Sequence, residues 1–333
     1  MLFSMFIVLY LFLGGCVAGL MLVTALRGIL FRRGLRLHHG SVLNGARSGI
    51  WNGDLDGLAW AADFEHYSGR CYVLALVLCL ASCSCLVFDL GSPYKAFLLF
   101  THPAFTAITV GAYVLTAALL LLCVLSASHF ILSSRGPSSL RPRWVRRLAE
   151  LLAVPVAVAL MGYTGLFLAL VDSVPLWNTP WTVVLFVLSA ISAGCALSSL
   201  VQALSNSGIR LSAAAGKVSA AGSMSARGAA AIASPRRLHV AVILLEVAGL
   251  GAFALRTLTR PEAAAARSVA LLTSEPLVGW LALGVLCLGL LVPLVAEVAC
   301  ICRGGQHHIP PADLACLLGC FLLRYCLVAA GVH

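Results

Sequence analysis

The sequence contains few charged residues. Asp, Glu, Lys and Arg together make up 10% of its 333 residues, whereas hydrophobic residues make up 61%. A soluble domain carries roughly 25% charged residues, so this composition excludes a soluble enzyme and indicates an integral membrane protein. The net charge of +10 comes from Lys and Arg residues that lie between apolar runs, a distribution that does not indicate a nucleic-acid partner.

The sequence also lacks the short motifs of soluble catalysis and metal binding. No Gly-rich phosphate loop, nucleophile elbow or His-Glu-x-x-His motif occurs in it. None of its 13 cysteines forms a Cys-x-x-Cys pair, and their spacings do not match zinc or iron–sulfur sites. Because a free cysteine packs as a small apolar residue, the sequence predicts no metal site.

Long apolar runs recur along the whole chain. Each approaches the ~20 residues that a helix needs to cross a bilayer. We therefore predict an all-α integral membrane protein, with eight transmembrane helices in a single polytopic membrane domain over residues 1–333. The predicted spans are 2–27, 71–90, 106–133, 148–172, 181–204, 239–258, 277–302 and 312–331.

Lys and Arg are distributed unevenly between the loops. The loops after the first, third, fifth and seventh predicted spans carry 17 of them, and the opposite loops carry three. The positive-inside rule therefore predicts that both termini lie outside and that loops 28–70 and 205–238 are cytoplasmic. Loop 205–238 is rich in Ala, Gly and Ser, which is typical of a flexible connector, and we expect a short amphipathic helix in loop 28–70.

The first apolar run contains the letters LGGC (13–16), a pattern similar to a bacterial lipoprotein cleavage site. A secretory signal has a basic region before a short apolar core, but no Lys or Arg precedes Arg27 and the run continues past Cys16. We therefore predict a retained span. Gly15 and Gly19 lie on one face of it, and small residues so placed allow transmembrane helices to pack closely.

Among the ionisable residues inside predicted spans, three are the candidates for a role within the membrane. Such groups cost about 2.5–3.5 kcal/mol on insertion scales, so each is a candidate functional group. Glu246 lies in the inner half of span six, Glu297 in the inner part of span seven and Arg324 near the middle of span eight. They indicate either structural ion pairs between helices or a route for protons. Glu246 and Arg324 lie at similar depths, which makes a pair between them feasible.

Five stretches, in order along the chain, resemble the NrfD/PsrC family, the polytopic quinone-reactive subunits of polysulfide-, nitrite- and DMSO-reductase-type complexes. They are YLFLGGCVAGL (10–20), LVFDLGSPYKAFLLF (86–100), TAITVGAYVLT (106–116), YTGLFLALVDSVPLWNTPW (163–181) and FLLRYCLVAAG (321–331). The fourth stretch is the most specific, because it contains Tyr-Thr-Gly, then Pro-Leu-Trp-Asn, then Pro.

The resemblance implies two four-helix bundles and a subunit that holds no metal or haem of its own. Such a subunit acts in anaerobic respiration, in the cytoplasmic membrane of a prokaryote. It binds menaquinol near the outer face, oxidises it and passes electrons to a docked four-cluster ferredoxin-like iron–sulfur subunit. That partner in turn supplies a molybdopterin catalytic subunit.

The resemblance also suggests which residues bind the quinone. Asp89 matches the family's Asp-Leu-Gly and Tyr163 its Tyr-Thr-Gly, while Trp177 and Asn178 belong to the matched Pro-Leu-Trp-Asn stretch. An interfacial aromatic belt accounts for Trp177 without a quinone. His102, just before span three, belongs to no family motif and is included because it is a polar group expected near the outer face.

By the same resemblance, Glu246, Glu297 and Arg324 are candidates for a proton route from the inside. Two other functions stay open, a polytopic secondary transporter and a purely structural anchor without quinone chemistry. A transporter is less favoured because the sequence shows no inverted repeats or paired interrupted helices. A structural anchor is compatible with the sparse polar and aromatic groups before span one, where the family usually has residues for the quinone and this chain offers Ser4 and Tyr10.

Overall fold

The computed structural model describes residues 5–45, 52–89, 91, 107–135, 140–171, 174, 176–214, 235–259, 263–303 and 309–331. Every regular element within these ranges is a helix, which confirms the predicted all-α class. The helices are α1 (Met5–Gly45), α2 (Asn52–Asp89), α3 (Ala107–Arg135), α4 (Leu140–Ala169), α5 (Pro180–Ala214), α6 (Pro235–Leu258), α7 (Ala263–Leu272), α8 (Leu277–Cys302) and α9 (Pro310–Ala329). The middle of α8, Trp280–Leu291, is π-helical.

Eight of the described helices are long and apolar enough to cross a membrane, which confirms the predicted number; α7 is the short exception. The chain is a multi-pass membrane protein. The apolar segments are Met5–Leu30, Phe64–Asp89, Thr109–Phe130, Trp144–Ala169, Pro180–Leu204, Arg236–Leu258, Leu277–Cys302 and Pro310–Ala329.

Several helices continue beyond their apolar segments, so the loops differ from those expected. Within 28–70, α1 stays helical to Gly45 and α2 begins at Asn52. Within 205–238, α5 continues to Ala214 and α6 begins at Pro235, while 215–234 lie outside the described residues. The physical reason is that helix propensity does not end with hydrophobicity, since Arg, Leu and Ala all favour helix.

Proline and glycine set several helix ends. Pro180 and Pro310 begin α5 and α9, where the missing proline N–H costs no hydrogen bond. Just after α2, Gly91 has φ of 73° and its N–H donates to the Phe88 carbonyl at 3.2 Å. Glycine adopts this left-handed conformation without strain, and helices commonly end in it. The end of α2 therefore explains why a glycine occupies the third position of the Asp-Leu-Gly motif.

Helix α1 lies at the centre of the molecule, with 72% of its apolar segment buried, compared with 33% for the segments of α6 and α8. It packs against α2, α4, α5 and α9. Helices α2 and α3 pack against each other, as do α3 and α4. Helices α6 and α9 pack against α5, and α8 packs against α6 and α9. Because α6 and α8 expose most of their apolar surface, those surfaces suit contact with lipid.

The tightest helix crossing joins α1 and α5. A Cβ added at Gly19 would overlap the backbone of Ala190, and one added at Gly194 would overlap the backbone of Gly19. The two backbones therefore touch directly, as small residues permit between transmembrane helices. Gly15 faces a different neighbour, the guanidinium of Arg324 on α9, which would lie 2.5 Å from an added Cβ.

Candidate functional site

Two tyrosines from different helices meet in the interior, and we call them the tyrosine pair. Tyr10 on α1 is 3% exposed and Tyr163 on α4 is 7% exposed, and their side chains lie close enough to interact. Among the described residues, however, the Tyr10 hydroxyl makes no hydrogen bond of regular geometry, although the Tyr163 side chain lies close enough to interact with it. A buried hydroxyl without a regular hydrogen bond is costly, so this group is well suited to receive a polar ligand atom.

Glycines make the space that Tyr163 occupies. The end of its phenol ring packs against Gly111 on α3, where an added Cβ would overlap it. Of the two glycines that flank Tyr163 in sequence, Gly165 packs against α5, with Val183 Cα 2.7 Å from an added Cβ, and Gly162 meets nothing within 4 Å. Gly165 therefore allows α4 and α5 to pack closely, whereas Gly162 borders open space.

Asp89 lies further along the same side of the molecule. The Ser82 hydroxyl donates to the Tyr10 carbonyl at 3.3 Å, which places Ser82 at the level of the tyrosine pair. Asp89 follows seven residues later at the end of α2, about 10 Å further along the helix axis, and it is half-buried. Asp89 thus lies at the helix end, beyond the level of the tyrosine pair, and His102 lies outside the described residues.

Trp177 is fully buried rather than interfacial. Its Nε1–H donates to the Leu327 carbonyl near the end of α9 at 2.7 Å, and its ring packs against Gly331. We call this contact the tryptophan anchor. Asn178, the next residue, is exposed. The structure therefore gives Trp177 a clear packing role and does not bring it against the tyrosine pair.

A second group of polar residues begins at the end of the molecule where α6 starts, α8 finishes and α9 starts. This end is the one predicted as cytoplasmic, and we call it the inner end. Glu297 on α8 lies there, 8% exposed. One of its oxygens is 3.7 Å from Arg236 Nε and the other is 3.3 Å from His239 Nδ1.

A cleft at the inner end leads to this carboxylate. It has room for about one water molecule. Its polar lining comes from Arg236, Glu297 and Asp313. Part of its apolar wall comes from Ala312 of α9 and from Ile309, the residue just before that helix. Glu297 is therefore both largely buried and accessible from one side.

His239 on α6 carries the polar contacts further into the molecule. It is 1% exposed, and its Nε2 lies 3.3 Å from Ser192 Oγ on α5 and 3.7 Å from Cys316 Sγ on α9. Ser192 in turn interacts with the buried Glu246, which lies two turns beyond His239 on α6. The Ser192 hydroxyl thus contacts His239 and lies near Glu246.

Arg324 lies beyond Glu246 and is 1% exposed. Its Nη1 donates to Ser189 Oγ at 2.7 Å and to the Cys320 carbonyl at 3.0 Å, and its guanidinium stands 5.1 Å above the Phe186 ring. Arg324 and Glu246 interact electrostatically without a salt bridge between them. The pair that the sequence made feasible is therefore a longer-range interaction in the structure.

These residues form one line through α5, α6, α8 and α9, which we call the polar row. Its members are Arg236, Glu297, His239, Ser192, Glu246 and Arg324. The structure thus joins the three residues predicted for a proton route and adds three that sequence reasoning missed. The missed signal was the spacing of His239 and Glu246, since residues seven apart lie on one helix face.

A further buried charge cluster lies among α2 and α4. Arg146 is 2% exposed and its Nε bonds Glu150 at 3.0 Å, while its Nη2 donates to Ser68 at 2.7 Å. Glu65 lies 3.9 Å away. Across the described part of the chain, no three His, Cys, Asp or Glu side chains are grouped so that they could hold a metal ion.

Comparison with known proteins identifies the family. The chain is 26% identical over 263 residues to Protein NrfD of Escherichia coli strain K12, and the match covers 74% of this chain and 76% of that protein. Residues 62–333 match the family model described as polysulphide reductase, NrfD. The match includes Asp89, Tyr163 and the polar row. The chain is therefore a membrane subunit that belongs to the NrfD family of polysulphide reductases.

Proposed function

We propose that this chain is the quinone-reactive membrane anchor of a respiratory molybdoenzyme complex, and that it oxidises menaquinol near the outer face. The observation that carries the proposal is the tyrosine pair. The family match, the buried Tyr10 hydroxyl without a regular hydrogen bond and the room that Gly111 leaves for Tyr163 all support a polar, aromatic ligand at this place.

The chemistry requires groups that hold both the quinol and its protons. Oxidation of a quinol releases two electrons and two protons and leaves two ring carbonyls. The oxygens of these carbonyls can accept hydrogen bonds from phenol O–H groups. In this proposal, Tyr10 and Tyr163 position the ring oxygens. Asp89, about 10 Å nearer the helix end, receives released protons, and His102 and Asn178 remain proposed contacts of the same site.

The electrons leave towards a partner subunit. We propose that an iron–sulfur protein of the four-cluster ferredoxin-like kind docks on the outer end and passes electrons to a molybdopterin subunit. The E. coli relative and the family match support membership of such a complex.

The proposal includes the orientation and the proton route. The charge bias of the loops supports outer termini in the cytoplasmic membrane of a prokaryote. The packing of α1 to α4 with one another, and of α5, α6, α8 and α9, supports two four-helix bundles. The polar row would then link the cytoplasmic side with the membrane interior.

Substitution of the tyrosine pair tests the proposal. In Tyr10→Phe and Tyr163→Phe, the loss of one hydrogen bond to the ligand should weaken binding by about two- to tenfold. We would measure it by fluorescence quenching of a hydroxyquinoline N-oxide, a quinol-site probe, bound to the purified complex. Reduction of the partner's clusters by a short-chain menaquinol analogue, followed by electron paramagnetic resonance, should slow in parallel.

Two further variants sharpen the test. Gly111→Ala should displace the Tyr163 ring and weaken probe binding while leaving both phenols present. Tyr113→Phe removes a phenol that is 44% exposed on the same helix as Gly111, and should behave like the unaltered protein. If both buried tyrosine variants bind the probe and reduce the clusters normally, the quinone site lies elsewhere.

A further inference from the structure

His239 on α6 lies between two carboxyl groups of the polar row. Glu297 of α8, which lines the cleft, is on one side of it, and Glu246, further along α6, is on the other. Its two ring nitrogens contact different helices, Nδ1 facing Glu297 of α8 at 3.3 Å and Nε2 facing Ser192 of α5 at 3.3 Å. A neutral imidazole donates from one nitrogen and accepts at the other. The ring is therefore placed to accept a proton on one side and release one on the other.

Ser192 completes the connection. A hydroxyl has one proton to donate and lone pairs to accept. The Ser192 hydroxyl lies 3.3 Å from His239 Nε2, and it is close enough to Glu246 to interact with that carboxyl group. One oxygen of Glu246 has no hydrogen-bond partner among the described residues. The serine therefore spans what would otherwise be a gap of about 10 Å between two residues seven positions apart on one helix.

We propose that His239 is the relay residue that moves protons between Glu297 and Glu246 during quinol turnover. This inference rests on the proposed function and deepens it by naming the inner half of the proton route. Protonated Glu297 loses its O–H proton to Nδ1 of a ring that carries its proton on Nε2. The Nε2 proton then passes to Ser192 Oγ, and the original hydroxyl proton of Ser192 passes to Glu246.

Each step breaks one bond to hydrogen and forms another, so one proton is transferred and no electron moves. The ring is left with its proton on Nδ1. Rotation about its Cα–Cβ and Cβ–Cγ bonds then turns this protonated nitrogen towards Ser192 and the bare nitrogen towards Glu297, ready for the next transfer. The Cys316 thiol, 3.7 Å from Nε2, offers the ring a weak alternative partner. Arg236 remains beside Glu297, with its Nε 3.7 Å from one carboxylate oxygen.

A purely structural role for His239 is the competing explanation, because a hydrogen-bonded His–Glu pair also ties α6 to α8. The two roles differ in what a glutamine would do. Glutamine retains donor and acceptor groups but carries no exchangeable proton from one to the other. His239→Gln should therefore preserve the fold and the quinol site while it blocks the relay.

The experiment uses the whole complex in sealed vesicles with a pH-sensitive dye inside. The quinol analogue starts turnover, and ferricyanide outside accepts electrons, with vesicles lacking the complex as the blank. In His239→Gln we expect the change in internal pH per electron to fall at least tenfold, while probe binding at the quinol site stays unchanged. Ser192→Ala should give the same loss, since it removes the connecting hydroxyl.

His129→Gln is the matched control, a half-buried histidine near the end of α3 that packs against Gly69 rather than the polar row. It should keep the normal internal pH change. A normal change in His239→Gln would overturn the relay while leaving quinol oxidation in place. Loss of probe binding in His239→Gln would also overturn it, by showing a structural effect. If the unaltered complex does not oxidise the quinol at all, the proposed function fails instead.

Discussion

The crossing of α1 and α5 gives a sharp prediction about stability. In Gly19→Ala, the new methyl would overlap the Ala190 carbonyl oxygen and would lie 2.7 Å from the Ala190 carbonyl carbon and 3.1 Å from the Gly194 nitrogen. Non-bonded carbon atoms in contact prefer about 3.5–4.0 Å, so the helices must separate by more than about 1 Å. The obstacle is backbone rather than a flexible side chain, and rotation of a side chain cannot relieve it.

The expected cost combines two opposing effects. Overpacking of this kind typically costs about 1–3 kcal/mol, and alanine recovers up to about 1 kcal/mol over glycine through its helix propensity. We therefore expect Gly19→Ala to lower the free energy of unfolding by about 1–2 kcal/mol. Gly194→Ala should cost about the same, and the double variant should cost less than the sum, because one separation of the helices accommodates both methyls.

The measurement is reversible unfolding of the purified protein in mixed micelles, followed by circular dichroism or tryptophan fluorescence as the denaturing detergent increases. Gly251→Ala is the control, since an added Cβ there meets nothing within 4 Å, and it should be neutral or slightly stabilising. The reasoning would be refuted if Gly19→Ala were as stable as Gly251→Ala. Strict additivity in the double variant would refute the shared displacement.

Two further predictions concern other buried contacts. Trp177→Phe keeps an aromatic ring but removes the N–H donor of the tryptophan anchor, so it should cost about 0.5–1.5 kcal/mol in the same unfolding assay; Trp181→Phe, at a partly exposed position, should cost less. Arg146→Ala leaves Glu150, 1% exposed, without its cation and should cost about 3–5 kcal/mol, whereas Arg146→Ala combined with Glu150→Ala should recover part of that loss. Equal stability of the single and double variants would contradict the ion-pair account.

The sequence predicts the membrane architecture well because hydrophobicity over about 20 residues is a strong local signal. The number of spans and the family followed from such runs and from ordered motifs. The extent of the helices did not, because α1 continues to Gly45 through a polar segment. A helix continues as long as its backbone hydrogen bonds form, and the hydrophobicity of the side chains does not mark where those bonds end.

From the sequence, candidate site residues could be predicted only where the side chain is itself unfavourable inside a membrane span. Glu246, Glu297 and Arg324 attract attention because a charge in a membrane is expensive. His239 and Ser192 are ordinary residues in sequence, and their importance comes from contacts between helices that are distant along the chain. Helix packing decides which helices are in contact, and no local sequence pattern predicts those contacts.

The remaining site residues show the same limit. Tyr163 stands out through its flanking glycines, but its neighbour Gly111, which makes room for the ring, lies on another helix. Trp177 resembled an interfacial residue because its sequence neighbours are polar and aromatic. Its burial follows from the fold of the preceding turn against α9, which its own neighbours do not specify.

The tryptophan anchor has a mechanical consequence. It fixes the turn before α5 to the Leu327 carbonyl of α9, and Arg324 lies three residues, or about 4.5 Å, along that helix. Because a helix is stiff over one turn, a load applied to the turn at Trp177 is transmitted to the position of the Arg324 guanidinium. A displacement of the turn that holds Trp177 would therefore shift the Arg324 guanidinium, so a substitution in that turn can alter the polar row without contacting it.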